Sequence, residues 1–380
     1  MSALNIFKHP VTIKKYAELP ELHASWRIVS QETLLPDVEM HILGAQPEVL
    51  TAKKIRQSVP DLYVHEFADI VYADGILYSP QAQSVLIDSV RTFDEAGSPH
   101  LYYGPTARVK RLGGGFYVPD LSMAEASDTV APDHVFMPCF TSYPVYGHWL
   151  LEALTSLWAR EYIQSQGGAP VKLLLSPVEN VPAYMKRFVE PLGITDYDFY
   201  YPSRRMRLKR LFIPTKAYMH MAYVSEPAKA IWRQVADFYL PQATIKPVDK
   251  IYLSRGQVKT RRLENQEEIE RFFEAQGFAV IHAQNLSLPD QISLFSRATH
   301  IAGPVGSAAH NVVFSGIPQQ LKTFFFGPKD YSSFNAIAVI EQAFGRKACF
   351  AQGAERSKKR RSWYISLDEI RTAYEQWMAG

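Results

Sequence analysis

The stretch SRATHIAGPVGSAAHNVVFSG, Ser296 to Gly316, decides how this chain reads. A short apolar run ends in Gly303, a second glycine follows at Gly306, and Ser307, His310 and Asn311 come before apolar residues resume. That is the pattern of a strand handing over to a helix. In parallel α/β sheets ligands bind beyond the carboxyl ends of the strands, where helix N-termini present free N–H groups. The absent Cβ atoms of Gly303 and Gly306 would let a phosphate approach the backbone. Ser307 and Asn311 would add side-chain donors, and His310 a titratable one. A tight strand-to-helix turn with Ser307 as a simple N-cap fits the same spacing. The stretch is not GxGxxG and carries no P-loop lysine, which disfavours a dehydrogenase or an NTPase.

Outward from this stretch, strands of four to seven residues alternate with helices. KIYLSR, FAVIHA, THIAG and QLKTFFFG read as strands; NQEEIERFFEAQG and SLPDQISLFSRA read as helices. Asn265 with Glu268 and Ser287 with Asp290 are the expected N-terminal caps of those two helices. Upstream, VFMPCF, VKLLLS and LKRLFIP alternate with GHWLLEALTSLWAREYI, AYMKRFVEPL and EPAKAIWRQVADFYL, ahead of a linker-like PQATIKPVDK. Residues 1–130 are strand-rich, with DLYVHEFADIVYADGILYS and HLYYGP as strand runs and turns at Ala73-Asp74-Gly75 and Gly113-Gly114-Gly115. The expected fold is therefore α/β, with two Rossmann-like domains facing a cleft and a strand-rich N-terminal segment. Its expected domains are residues 1–243, strand-rich over 1–130 and α/β over 131–243, and residues 244–380. The last helix, SLDEIRTAYEQWM, is expected to cross back onto the first domain.

Composition narrows the function. The chain has 380 residues, 47% of them hydrophobic and 13% aromatic, enough to bury a large core and too apolar for general disorder. A net charge of +3, without aromatic-basic interleaving, gives no reason to expect nucleic-acid binding. Cys139 and Cys349 form neither a disulfide framework nor a metal-ligand spacing, which fits a reducing cytosol. The N-terminal stretch MSALNIFKHPVTIKKYAELP lacks a continuous apolar run, so no signal peptide is expected. The most apolar segment, Val135 to Trp158, is interrupted by Pro138, Pro144, His148 and Glu152, which argues against a membrane span.

Two further elements carry chemistry. LSRGQVKTRR places Ser254, Arg255, Lys259, Arg261 and Arg262 just past a strand, where an arginine fork suits a diphosphate; a solvated basic loop is the plain alternative. In GHWLLE, His148 and Glu152 stand four apart, on one face of a helix. A carboxylate so placed can orient an imidazole as a general base. A zinc pair is the competing reading, without a third ligand nearby, and a structural histidine is the bland one.

In this order the elements resemble glycosyltransferase family 61. The resemblance rests on Gly147-His148-Trp149-Leu150-Leu151-Glu152, then on Ser254, Arg255, Arg262 and Asn265. It continues through Gly277-Phe278, Gln291-Ile292, Leu294-Phe295 and Ala298, and ends on Gly303, Gly306, Ser307, Asn311 and Phe314. It covers about residues 60–330 and is densest over 250–315. It implies a GT-B fold, a nucleotide-sugar donor, inversion at the anomeric carbon, and no obligatory metal or other cofactor. Many members carry His where this chain has Val305 and Thr where it has His310, so His310 is the residue that would substitute. The resemblance implies His148, Glu152 and His310 as catalytic, and Ser254, Arg255, Arg262, Gly303, Gly306, Ser307 and Asn311 as donor-binding.

The expected activity is inverting transfer to a glycan hydroxyl in capsule, lipopolysaccharide or exopolysaccharide synthesis. A non-catalytic sugar- or nucleotide-binding protein of the same fold is one rival; a GT-B-type nucleotide-sugar epimerase is another. The expected location is cytoplasmic. The basic clusters Arg204–Arg210 and Arg356–Arg361 suit peripheral contact with an anionic membrane and a lipid-linked acceptor, or are solvated loops. His220 reads as a core residue.

Overall fold

Continuous apolar strands and single-striped helices give this chain a mixed α/β fold with parallel sheets. In the computed structural model the described residues are 7–13, 16–52, 58–73, 76–86, 92–93, 99–100, 110–112, 115–119, 134–140, 145–176, 182–200, 205–257, 261–316, 320–329, 333–357 and 362–380. Lys259, Arg204, Lys358–Arg361, the turn residues Asp74-Gly75 and Gly113-Gly114, and most of HLYYGP lie outside them. Contacts divide the chain into two units: Met1–Thr33 with Val59–Met219, and Leu34–Ser58 with His220–Gly380. The strand-rich 1–130 segment is therefore shared between them.

The first unit is organised around β1 (Leu62–Ala73), β2 (Val135–Phe140), β3 (Val171–Ser176), β4 (Phe199–Tyr200) and β5 (Arg205–Pro214). β2 runs parallel to β3 from Val135↔Val171 to Phe140↔Ser176, and β3 runs parallel to β4. On its other side β2 meets β5 in parallel at Phe136↔Leu211, and β5 runs antiparallel to β1. The four parallel strands thus lie in the order β4-β3-β2-β5, with the connection reversing direction between β2 and β5. Val135, Phe136, Met137 and Cys139 are at most 1% exposed, which is why VFMPCF shows no alternation. The strand Ile76–Ser79 pairs antiparallel with β1.

The second unit contains β6 (Lys250–Leu253), β7 (Ala279–Ile281), β8 (His300–Pro304), β9 (Lys322–Pro328), β10 (Ala348–Ser357) and β11 (Ser362–Tyr364). β7 to β10 flank β6 in the order β7-β6-β8-β9-β10, every neighbouring pair parallel. The strand Glu39–Ile42 continues the sheet beside β10 in parallel, and Glu48–Thr51 adds to it antiparallel. An uncovered β10 edge would offer unpaired backbone groups, and this N-terminal segment covers it.

Its helices are α1 (Glu226–Tyr239), α2 (Gln266–Ala275), α3 (Leu288–Arg297), α4 (Ser333–Ala343) and α5 (Leu367–Ala379). In α1 the buried residues Ala228, Ile231, Trp232, Val235, Ala236 and Tyr239 follow the helical period. α2 and α5 bury Ile269, Phe273, Ile370 and Trp377 with Tyr252, Ala302, Phe324 and Phe326 of the strands. α5 is held inside this unit: Gln376 donates to the Gly44 carbonyl at 2.9 Å and accepts from the Gly44 N–H at 2.8 Å. The linker-like stretch is also part of the unit, since the Asp290 carboxylate accepts from the N–H groups of Thr244 at 2.7 Å and Ile245 at 2.9 Å.

Of the two expected caps, one forms. The Ser287 hydroxyl accepts from the Asp290 N–H at 3.2 Å. Asn265 makes no side-chain cap; its amide donates to Glu268 and to the Ile365 carbonyl, both at 2.9 Å. Both bonds use the amide hydrogens, and Oδ1, the atom a cap would use, has no hydrogen-bond partner among the described residues.

Candidate functional site

In the first unit, the segment after β2 is helical from Tyr146 to Gly167, but not uniformly so. An α turn, Tyr146–His148, passes into a π turn, Trp149–Ala153, before α geometry returns at Leu154–Ser156. Trp149, Leu150, Leu151, Ala153 and Leu154 are buried, and this leaves His148 and Glu152 on the other side, half-buried. The Thr155 hydroxyl donates to the Leu151 carbonyl at 2.6 Å, and such back-bonding loosens the regular ladder.

His148 Nδ1 lies 2.9 Å from Glu152 Oε1. An ionised carboxylate only accepts, so Nδ1 is the donor of this bond, and in the neutral tautomer that it favours Nε2 is the acceptor nitrogen. This is the arrangement of an oriented proton acceptor. The pair follows β2 in the chain, and the strand order reverses between β2 and β5, the kind of position at which open parallel sheets take ligands. Cys139 of β2 is no competitor: burial pushes its thiol up to about 12, so it stays protonated.

In the second unit the chain-order pattern of β7-β6-β8-β9-β10 reverses direction between β6 and β8. Ser254-Arg255-Gly256 follow β6 and Val305-Gly306-Ser307 follow β8, so both stretches stand at that reversal. The Ser254 N–H donates to the Ile281 carbonyl at 2.9 Å, and its hydroxyl accepts from the Gly256 N–H at 3.0 Å, closing a short turn. The Arg255 guanidinium lies against Gly306: a Cβ built there would fall on Nη1 and come within 3.2 Å of Cζ. Burial pulls the Arg255 pKa down, the mark of a guanidinium held in a poorly hydrated place.

The two glycines have different tasks. Gly303 has φ +148°, and a Cβ there would meet the Leu253 carbonyl oxygen at 2.7 Å. The close approach it permits is that of β6, not of a ligand. Gly306 is extended, with φ −175°, and makes room for the arginine.

Ser307–Phe314 is a 3-10 helix, in which residues three apart eclipse. Ser307 and His310 therefore share a row, and both are half-buried, while Asn311 is fully buried. The Asn311 amide donates to Gln291 Oε1 of α3 at 3.1 Å, so it ties the helix to the scaffold rather than facing outward with Ser307. Val305 is 5% exposed, with its N–H on the Phe326 carbonyl at 2.9 Å. Arg262 is exposed, on a segment whose backbone accepts from the Trp363 N–H of β11 at 3.0 Å. Arg255 and Gly306 are thus brought together by the sheet, while Arg262 is carried by the β11 edge.

Sequence reasoning passed over His282 and Gln257. His282 follows β7 at the same carboxyl edge, and its buried Nδ1 has no hydrogen-bond partner among the described residues. Gln257 accepts from the amides of Gln284 and Asn285, each at 3.2 Å, linking the loops after β6 and β7. Only their position after a strand could have pointed to them.

Residues 146–321 match the family model Glycosyltransferase 61. The glycosyltransferase 61 match begins at the turn that carries His148 and runs past the helix that carries His310, so it spans both constellations. It supports glycosyl transfer, and with it a donor and an acceptor, as the general chemistry. No curated protein matches the chain. Among the described residues no cluster of His, Cys, Asp or Glu could hold a metal ion, and no helix is long and apolar enough to cross a membrane.

Proposed function

We propose that the protein is an inverting glycosyltransferase of GT-B type, moving a sugar from a nucleotide-sugar to a glycan hydroxyl without a metal ion. The observation that carries this reading is the Arg255 guanidinium seated on Gly306 at the reversal between β6 and β8. A cation held there, beside the N–H groups that open a helix, suits the negative charge that builds up on a departing nucleoside diphosphate.

In the proposed reaction His148 Nε2 takes the proton of the acceptor hydroxyl, and Glu152 stabilises the imidazolium that results. The acceptor oxygen forms a bond to the anomeric carbon as the bond from that carbon to the phosphate oxygen breaks. Configuration inverts because attack and departure occur on opposite faces. The electron pair of that bond leaves on the phosphate oxygen, and Arg255 and the backbone N–H groups after Gly306 stabilise the charge it carries, with Ser307 and His310 as further contacts.

The proposed setting is cytoplasmic assembly of a capsular, lipopolysaccharide or exopolysaccharide chain, with peripheral contact to an anionic membrane. The test is a panel of nucleotide-sugars followed by melting temperature, since a ligand bound only by the folded state raises it. Release of nucleoside diphosphate is then measured with and without glycan acceptors. A panel that yields neither stabilisation nor release would overturn the proposal.

A further inference from the structure

The helix Ser307–Phe314 ends on carbonyls that its own backbone serves poorly. Val312 accepts from the Ser315 N–H at 3.3 Å, while the Gly316 N–H, which an α-helix would use, donates to the Ser296 carbonyl at 3.1 Å. A remote cation fills the gap. Arg346 Nη1 and Nη2 both reach the Val312 carbonyl oxygen at 3.3 Å.

Arg346 is aimed by a buried partner. Its Nε donates to Glu341 Oε2 at 2.8 Å and its Nη2 to Oε1 at 3.0 Å. The two side chains are 1% and 0% exposed. Thr323 of β9 donates to Glu341 Oε2 at 3.0 Å. A buried ion pair seldom stabilises a fold more than apolar residues of the same volume would, so stability alone does not account for this one. What a doubly bonded fork adds is direction, and here it points a positive charge at the negative end of a helix.

We infer that Arg346, aimed by Glu341, is a positioning residue that holds Ser307–Phe314 in its 3-10 register and so sets the orientation of Ser307 and His310 toward the diphosphate. The inference rests on the proposed donor site. Relaxation toward α geometry would turn residue 310 by about 60° relative to residue 307, because the two helices differ in residues per turn. The Asn311–Gln291 bond holds the buried side of the same helix, which leaves the carbonyl end to Arg346.

The experiment uses the full chain with its histidines labelled at 13Cε1, the His310 resonance being assigned from His310→Ala. Inorganic pyrophosphate is the probe, because it presents the diphosphate whatever the nucleotide. Arg346→Met alone strands a buried carboxylate, so the informative variant is Glu341→Leu with Arg346→Met, which removes both charges. The double variant is expected to melt close to the wild type, yet to shift the His310 resonance and to bind pyrophosphate at least tenfold more weakly. Arg346→Lys keeps the charge but not the fork, and is expected to shift the resonance less. It carries the test if the double variant does not fold. A His310 resonance unmoved in the folded variants would overturn the inference. Failure of the wild type to bind pyrophosphate would instead count against the donor site, leaving the resonance to decide the positioning role.

Discussion

The Arg255 guanidinium occupies the space that a Cβ at position 306 would need. Strand order creates this relationship: β6 and β8 are neighbours, so the residues that follow them meet although about fifty positions apart in sequence. The fit can be tested from either side.

Arg255→Ala removes a charge-assisted contact, for which a loss of about 1.5–3 kcal/mol, roughly tenfold to a hundredfold in nucleoside-diphosphate affinity, is expected. Gly306→Ala leaves an extended backbone unstrained and displaces the guanidinium instead, so it should weaken the diphosphate comparably. The double variant should be no worse than either single one, because both changes remove the same contact. Calorimetric titration of the four proteins checks this, and fully additive losses would separate the two residues.

Gly303→Ala should act on the fold. The new Cβ would meet the Leu253 backbone, which cannot swing away as a side chain can, and φ is +148°. Strain and overpacking together are expected to cost on the order of 2–5 kcal/mol. Urea unfolding measures it; a midpoint equal to the wild type would show that the strands have room to part.

His148→Ala should lower turnover about a hundredfold to ten-thousandfold, the usual share of general-base catalysis, with donor affinity nearly unchanged. The acidic limb of the pH–rate profile should vanish with it. Glu152→Gln should cost less, since the amide can still accept from Nδ1 but cannot balance an imidazolium. His310→Ala should act on diphosphate binding. Turnover that survives His148→Ala and fails in His310→Ala would reverse the assignment of the base.

Stability should fall on mild acidification because of His65. Its Nδ1 lies 2.8 Å from Ser25 Oγ, and burial lowers its pKa to about 4 from 6.5. The folded state therefore resists a proton that the unfolded chain accepts. The contribution is whole above pH 6.5 and declines as pH falls toward about 4, below which it changes no further. A shift of that size corresponds to on the order of 3 kcal/mol. Asp61, Asp198 and Asp290 are held below the usual carboxylate range, so their losses begin at lower pH. Urea midpoints of the wild type and His65→Asn at pH 7 and pH 4.5 should converge at neither pH equally: the wild type loses more on acidification, and parallel losses would refute this origin.

Local periodicity was enough to read the alternating strands and helices from Val135 onward, the face shared by His148 and Glu152, and the Ser287 cap. Each depends on residues within one or two turns of one another, so their chemistry is written into adjacent positions. The turn after β8 was legible too, but not what its glycines accommodate. Gly303 faces Leu253 and Gly306 faces Arg255, and neither neighbour is near in sequence. Asn311 looks like a ligand donor beside Ser307, yet Gln291 of α3 claims its amide. Asn265 looks like a cap, yet its amide donates to the Ile365 carbonyl and its Oδ1 takes no N–H of the helix. The strand Glu39–Ile42 gives no local hint that it will pair with β10, and Arg346 none that it will end a helix beginning at Ser307. A side chain's conformation answers to its sequence neighbours, but its partner is whichever group the sheet order carries within reach, and that order is set by burying all the strands and helices together.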